Sequence, residues 1–112
     1  MTVRKLTRLN IGGQSFKVQF MKHVKSSNDG QYIQGEMSSQ EGRISIRNSR
    51  PFLEVDTLIH EILHALEYKG GLEHNEYWVN RIATGLAQVF KDNPRLIEFI
   101  VQKLKEDEDH GN

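Results

Sequence analysis

The chain has no cysteine among its 112 residues. Disulfides, zinc ribbons and thiol chemistry are therefore excluded, and any bound metal must rely on histidine and carboxylate ligands. Proline occurs only twice, so long regular elements are permitted. No apolar run approaches the roughly 20 residues of a membrane span. The N-terminal Met1-Thr2-Val3-Arg4-Lys5 leads into a polar, alternating stretch and not into the apolar core of a signal peptide. These features lead us to expect a cytoplasmic protein with no membrane partner. Net charge is also absent but unevenly so: residues 1–50 carry nine Lys/Arg against three Asp/Glu, and residues 51–112 carry six against twelve. The bases are dispersed without interleaved aromatics, which argues against nucleic acid as a partner.

What is present points to one domain, 1–112, of α+β class. Residues 1–50 read mainly as strands, 51–105 mainly as helices, and 106–112 as an acidic, frayed tail. Lys5 to Ile11 and Phe16 to Phe20 alternate around Gly12-Gly13, a hairpin signature. Tyr32–Met37 and Arg43–Arg47 give a third and a fourth strand, so a small antiparallel sheet of three or four strands is expected. Turn clusters at 26–30 and 38–42 separate them. Pro51 suits the first turn of a helix over about 52–69, closed by Gly70-Gly71. Asn75 is placed to cap a second helix over about 76–91, whose Gly85 invites close packing against the first. Asn93-Pro94 opens a third helix. Strands followed by helices is the α+β order.

The first of these helices carries His60-Glu61-Ile62-Leu63-His64, an H-E-x-x-H motif. Val55, Leu58, Ile59, Ile62, Leu63 and Leu66 fall in one apolar arc at helical spacing, and His60, Glu61 and His64 fall opposite, on a polar front. Residues four apart stand one turn above each other, so both imidazoles reach one Zn²⁺ while Glu61 is placed to act as general base on metal-activated water. A catalytic zinc needs a third protein ligand. The longer motif with Gly and His at 67 and 70 is ruled out by Glu67 and Gly70. The third ligand must come from beyond Gly70-Gly71: Glu76 first, since two histidines and a glutamate form an established catalytic set, then His74, then Glu73.

Thr57–Tyr68 (TLIHEILHALEY) and Arg81–Pro94 (RIATGLAQVFKDNP) resemble small phage and prophage zinc metallopeptidase-like proteins. In layout they are similar to ImmA/IrrE-like and minimal gluzincin-type zincins. The resemblance implies a peptidase with one Zn²⁺ per chain, a sheet over the active-site helix and a backing helix carrying the third ligand. It implies an edge strand, taken as Arg43–Arg47, that pairs with a peptide or protein substrate. It also implies a supporting role for Asn80, which stands four residues after Glu76 where gluzincins have Asp. Tyr68 and Tyr77, with His74 and His23, are candidate oxyanion donors. The competing expectation is a catalytically silent zinc-binding regulatory or protein-interaction module of phage origin. The sequence leaves oligomeric state and substrate open.

Overall fold

The computed structural model describes residues 5–110 and has the expected α+β class. The N-terminal Met1–Arg4 and the last two residues of the acidic tail, Gly111 and Asn112, lie outside the described residues. The strands are β1 (Arg8–Ile11), β2 (Gln14–Met21), β3 (Val24–Lys25), β4 (Tyr32–Ile33), β5 (Gly35–Ser38) and β6 (Arg43–Arg47); the helices are α1 (Pro51–Lys69), α2 (Glu76–Asp92) and α3 (Pro94–His110). β1 and β2 form the predicted hairpin across Gly12-Gly13, whose φ angles of 56° and 82° lie in the left-handed region that glycine adopts without steric cost. The expected third strand is divided at Gln34. Its first part pairs with β3, and its second part, β5, joins the main sheet.

The main sheet has the order β1-β2-β6-β5. Two expectations are corrected here. The sheet is mixed and not antiparallel, because β2 and β6 run parallel. The chain reverses in the Ser26–Gly30 turn and again between Ser38 and Arg43, so β6 returns in the direction of β2. Arg43–Arg47 is consequently not an edge: it lies between β2 and β5, and the terminal strand is Gly35–Ser38. The burial of Ile44 and Ile46, both at 0% exposure, follows from that central place.

The core sits between sheet and α1. Ile11, Phe16, Ile44, Ile46 and Ala65 are buried together, with Leu9, Met37, Leu58 and Ile62 packed against them. The apolar arc expected on α1 is only partly covered. Leu58 and Ile62 face the sheet, while Val55 and Leu66 remain exposed on another side of the helix. α2 packs along α1 through Val79, Ala83 and Ala87. Small residues at i, i+4 and i+8 allow this close approach. Gly85 takes no part in it: its position faces open space, contrary to the expectation from sequence. Nor is the acidic tail frayed through residue 110, because α3 continues there and Glu106 accepts hydrogen bonds from Gln102 and Lys103 on the same helix.

Candidate metal centre

α1 begins at Pro51, whose ring has the helical φ and whose missing N–H would in any case lack a helical partner. It ends in a Schellman turn. The amide of Leu72 donates to the carbonyl of Glu67 at 2.8 Å and that of Gly71 to Tyr68 at 3.3 Å, with Gly71 at φ 67°. This reversal turns the chain back over the last turns of α1. Asn75 then caps α2 by accepting the Trp78 amide at 3.0 Å. Its own amide donates to Glu67 Oε2 at 2.9 Å, which ties the start of α2 to the end of α1. Further along the cleft wall, Thr84 donates to the Asp56 carboxylate at 3.0 Å, a second link between the helices.

The result is that Glu76, in the first turn of α2, meets the two motif histidines. His60 Nε2 and His64 Nε2 are 3.0 Å apart. Glu76 Oε1 lies 2.6 Å from the first and Oε2 3.0 Å from the second. Three groups that all carry lone pairs thus converge on one point, which is unfavourable unless a cation or a shared proton lies between them. Tetrahedral donors held at about 2.0–2.1 Å stand about 3.3–3.4 Å apart. The three side chains therefore need to open by about 0.3–0.8 Å, and the donor set fits a metal ion. The remaining side gives onto a cleft of about 750 Å³ walled by β5, α1, α2 and the 70–75 turn.

Of the other third-ligand candidates, His74 approaches the cluster, its Nε2 3.7 Å from Glu76 Oε2, and Glu73 does not. Glu73 lines an apolar groove and not the cleft, and is not brought to the histidines. His74 is in the cleft but outside the His60/His64/Glu76 set. Its ring stacks on that of His64 at 4.7 Å, its Nδ1 stands 3.4 Å from Glu67 Oε1, and its side chain is 70% exposed. With His64 and Glu67 it forms a second, overlapping group of possible donors.

Glu61 departs from the expected polar front. It is only 6% exposed, enclosed between α1 and β5. Burial raises its carboxyl from 4.5 to about 7; His64 and the Met37 backbone N–H pull it back, while the negative Glu76 and Glu36 push it further up. Burial likewise lowers His60, against the attraction of Glu76, and so favours the neutral imidazole that a metal requires. Glu61 fits beneath β5 because residue 35 is glycine. A Cβ there would stand 2.7 Å from Thr57 Cγ2, 3.0 Å from the Ser45 carbonyl and 3.2 Å from Glu61 Oε2.

Asn80 lines the cleft, but among the described residues it makes no hydrogen bond to either histidine. The supporting contact comes from Glu67 instead, whose Oε1 is 2.8 Å from His64 Nδ1. Burial raises the Glu67 carboxyl, but its bonds to His64 and the Asn75 amide outweigh this and hold it below the usual range. Sequence reasoning passed over Glu67 and Gly35. The spacing of Glu67, three residues after a ligand histidine on the same helix, was a usable signal; Gly35 offered none. Of the oxyanion candidates, Tyr68 and His74 line the cleft. Tyr77 does not: it borders a separate depression with Arg81 stacked at 4.7 Å. His23 is remote, against Tyr32.

Comparison with protein-family models, with curated proteins and with solved structures gives no match.

Proposed function

We propose that this chain is a zinc-dependent peptidase of the H-E-x-x-H type. One arrangement carries the reading: His60, His64 and Glu76 converge on a point that opens to a cleft, with the buried Glu61 carboxyl in the same cleft. Two imidazoles and one carboxylate suit zinc, and three protein ligands with a free side are the pattern of catalytic sites; structural sites are closed by four. When bound, the metal would supply Lewis acidity, polarising a carbonyl and lowering the pKa of water toward about 7.

The rest falls to the chain's own groups. His64 donates from Nδ1 to Glu67, which leaves its Nε2 lone pair directed at Glu76 and His60. Glu61, raised to about 7 by burial, holds and releases a proton near neutrality. That suits a group that takes a proton from the attacking water and passes it to the leaving amine. β5 is the terminal strand and lines the cleft through Gly35, Glu36 and Met37. An extended peptide or protein substrate pairing with that edge would run beside the His/Glu cluster. Tyr68, which lines the cleft, is the tyrosine we assign as donor to a developing oxyanion. The kinship with phage-type zincins, suggested by TLIHEILHALEY, belongs to this proposal.

The test is metal content together with hydrolysis of a peptide library. One zinc per chain is expected, lost in both His64→Ala and Glu76→Ala. Glu61→Gln should keep the zinc and lower turnover by at least about 100-fold, the usual scale of general-base catalysis. Failure to take up zinc would end the reading. Zinc uptake with no cleavage by the parent protein would favour a silent regulatory or protein-interaction module.

A further inference from the structure

α3 is an amphipathic helix laid out for a partner it does not have within the described chain. Between Pro94 and Asp109 only Leu96 and Glu106 are even partly buried. Yet Leu96, Ile97, Ile100, Val101 and Leu104 recur at i, i+1, i+4, i+5 and i+8, which places them along one face. Its one substantial neighbour is α2, to which Asn93 joins it. That joint is fixed by hydrogen bonds from the Leu96 amide to the Asn93 carbonyl and from Asn93 Nδ2 to the Val89 carbonyl. Helices in proteins draw most of their stability from packing an amphipathic face, and the 17-residue α3 packs little of its own.

The matching surface is a groove along α1 and α2 that meets the cleft at Glu67 and Leu72, which line both. It has a volume of about 470 Å³ and is walled by Leu63, Leu66, Leu72, Trp78, Val79 and Ile82. Leu86 and Val89, both exposed, continue its α2 wall at helical spacing. α2 and α3 have the same length, 17 residues. Ridge and groove therefore occur on one chain, and α3 does not lie in its own groove.

The exposed area bears on what fills it. The chain exposes 8612 Å² at 13.0 kDa, about a third more than the roughly 6,300 Å² of a folded monomer of that mass. The excess is well above the roughly 800 Å² per partner that a stable interface buries. The long axis is 48 Å, against 31 and 26 Å for the other two.

We propose that the chain is a two-fold symmetric dimer in which each α3 lies in the α1/α2 groove of the other copy. Reciprocal exchange of this kind closes the assembly at two chains. It covers both apolar surfaces at once and meets the His/Glu cleft only at the shared lining residues Glu67 and Leu72.

The natural absence of cysteine makes the test direct. Sedimentation equilibrium of the full chain at micromolar concentration should give twice the single-chain mass. Ile100→Glu combined with Leu104→Glu should halve that mass while α1, α2 and metal content stay unchanged, since α3 adds nothing to the core. A Leu104→Cys chain mixed with an Ile82→Cys chain should form a disulfide-linked heterodimer on mild oxidation, which tests the contact without a disruptive charge. A parent protein of single-chain mass would overturn the proposal. So would a dimer that joins Leu104→Cys only to itself, because that geometry pairs α3 with α3.

Discussion

His64 Nδ1 lies 2.8 Å from Glu67 Oε1, one helical turn further along α1, while the other oxygen of the same carboxylate holds the Asn75 amide at 2.9 Å. A single side chain thus sets the tautomer of one motif histidine and anchors the start of the helix that brings Glu76. Glu67→Ala removes both contacts. Affinity for the metal, zinc on the proposed reading, should fall by roughly 10–100-fold, the usual cost of losing a group that orients a ligand histidine. Competition with a chelator of known affinity would measure it, and unchanged affinity would mean that Glu67 is a passive surface acid.

Gly35 and Glu61 are related by contact across the sheet–helix boundary. The methyl group of Gly35→Ala would press on Thr57, the Ser45 carbonyl and Glu61 together. Overpacking of this kind costs about 1–3 kcal/mol. The denaturation midpoint should drop accordingly, and the hydrolysis that the proposed function expects should drop further than metal content, because the clash falls on Glu61 and not on the ligands. An alanine variant with parental stability would show that β5 yields freely at this point.

Gly85 offers the opposite case. It sits within α2, and nothing lies within 4 Å of where its Cβ would be. Gly85→Ala should raise stability by about 0.5–1 kcal/mol, through helix propensity and a less flexible unfolded chain. A loss of stability on thermal or chemical unfolding would point to a close neighbour at that position, such as a partner helix.

The buried Glu61 also sets a pH dependence for the metal-free chain. Its folded pKa, about 7, lies above the ordinary value of 4.5, so the folded state binds the proton more tightly than the unfolded state does. Stability from this group is full below about 4.5, declines as pH rises, and is lost once pH passes about 7. The size of the change is about 3 kcal/mol, at 1.36 kcal/mol per pKa unit. Denaturant unfolding of the metal-free protein between pH 4.5 and 8 should show that decline superimposed on the histidine titrations. In Glu61→Gln this component should be gone; an identical profile in both proteins would assign the slope to other groups.

The amino-acid sequence by itself determined the local features. The placing of His60 and His64 one turn apart, the Gly12-Gly13 hairpin, the Gly70-Gly71 stop, the Asn75 cap and the Pro94 start all rest on rules that act over a few residues. Those rules carry no information on which elements become neighbours. Whether Glu76, His74 or Glu73 met the histidines depended on how the Schellman turn and the Asn75–Glu67 bond aimed α2. That β6 was central and β5 terminal depended on strand order, set by pairing between residues distant in the chain. Glu61 was polar by pattern and buried in fact, because β5 crosses over it where Gly35 leaves room. The apolar pattern of α3 was legible too, but only the folded chain showed that stripe left uncovered beside an empty groove of matching character.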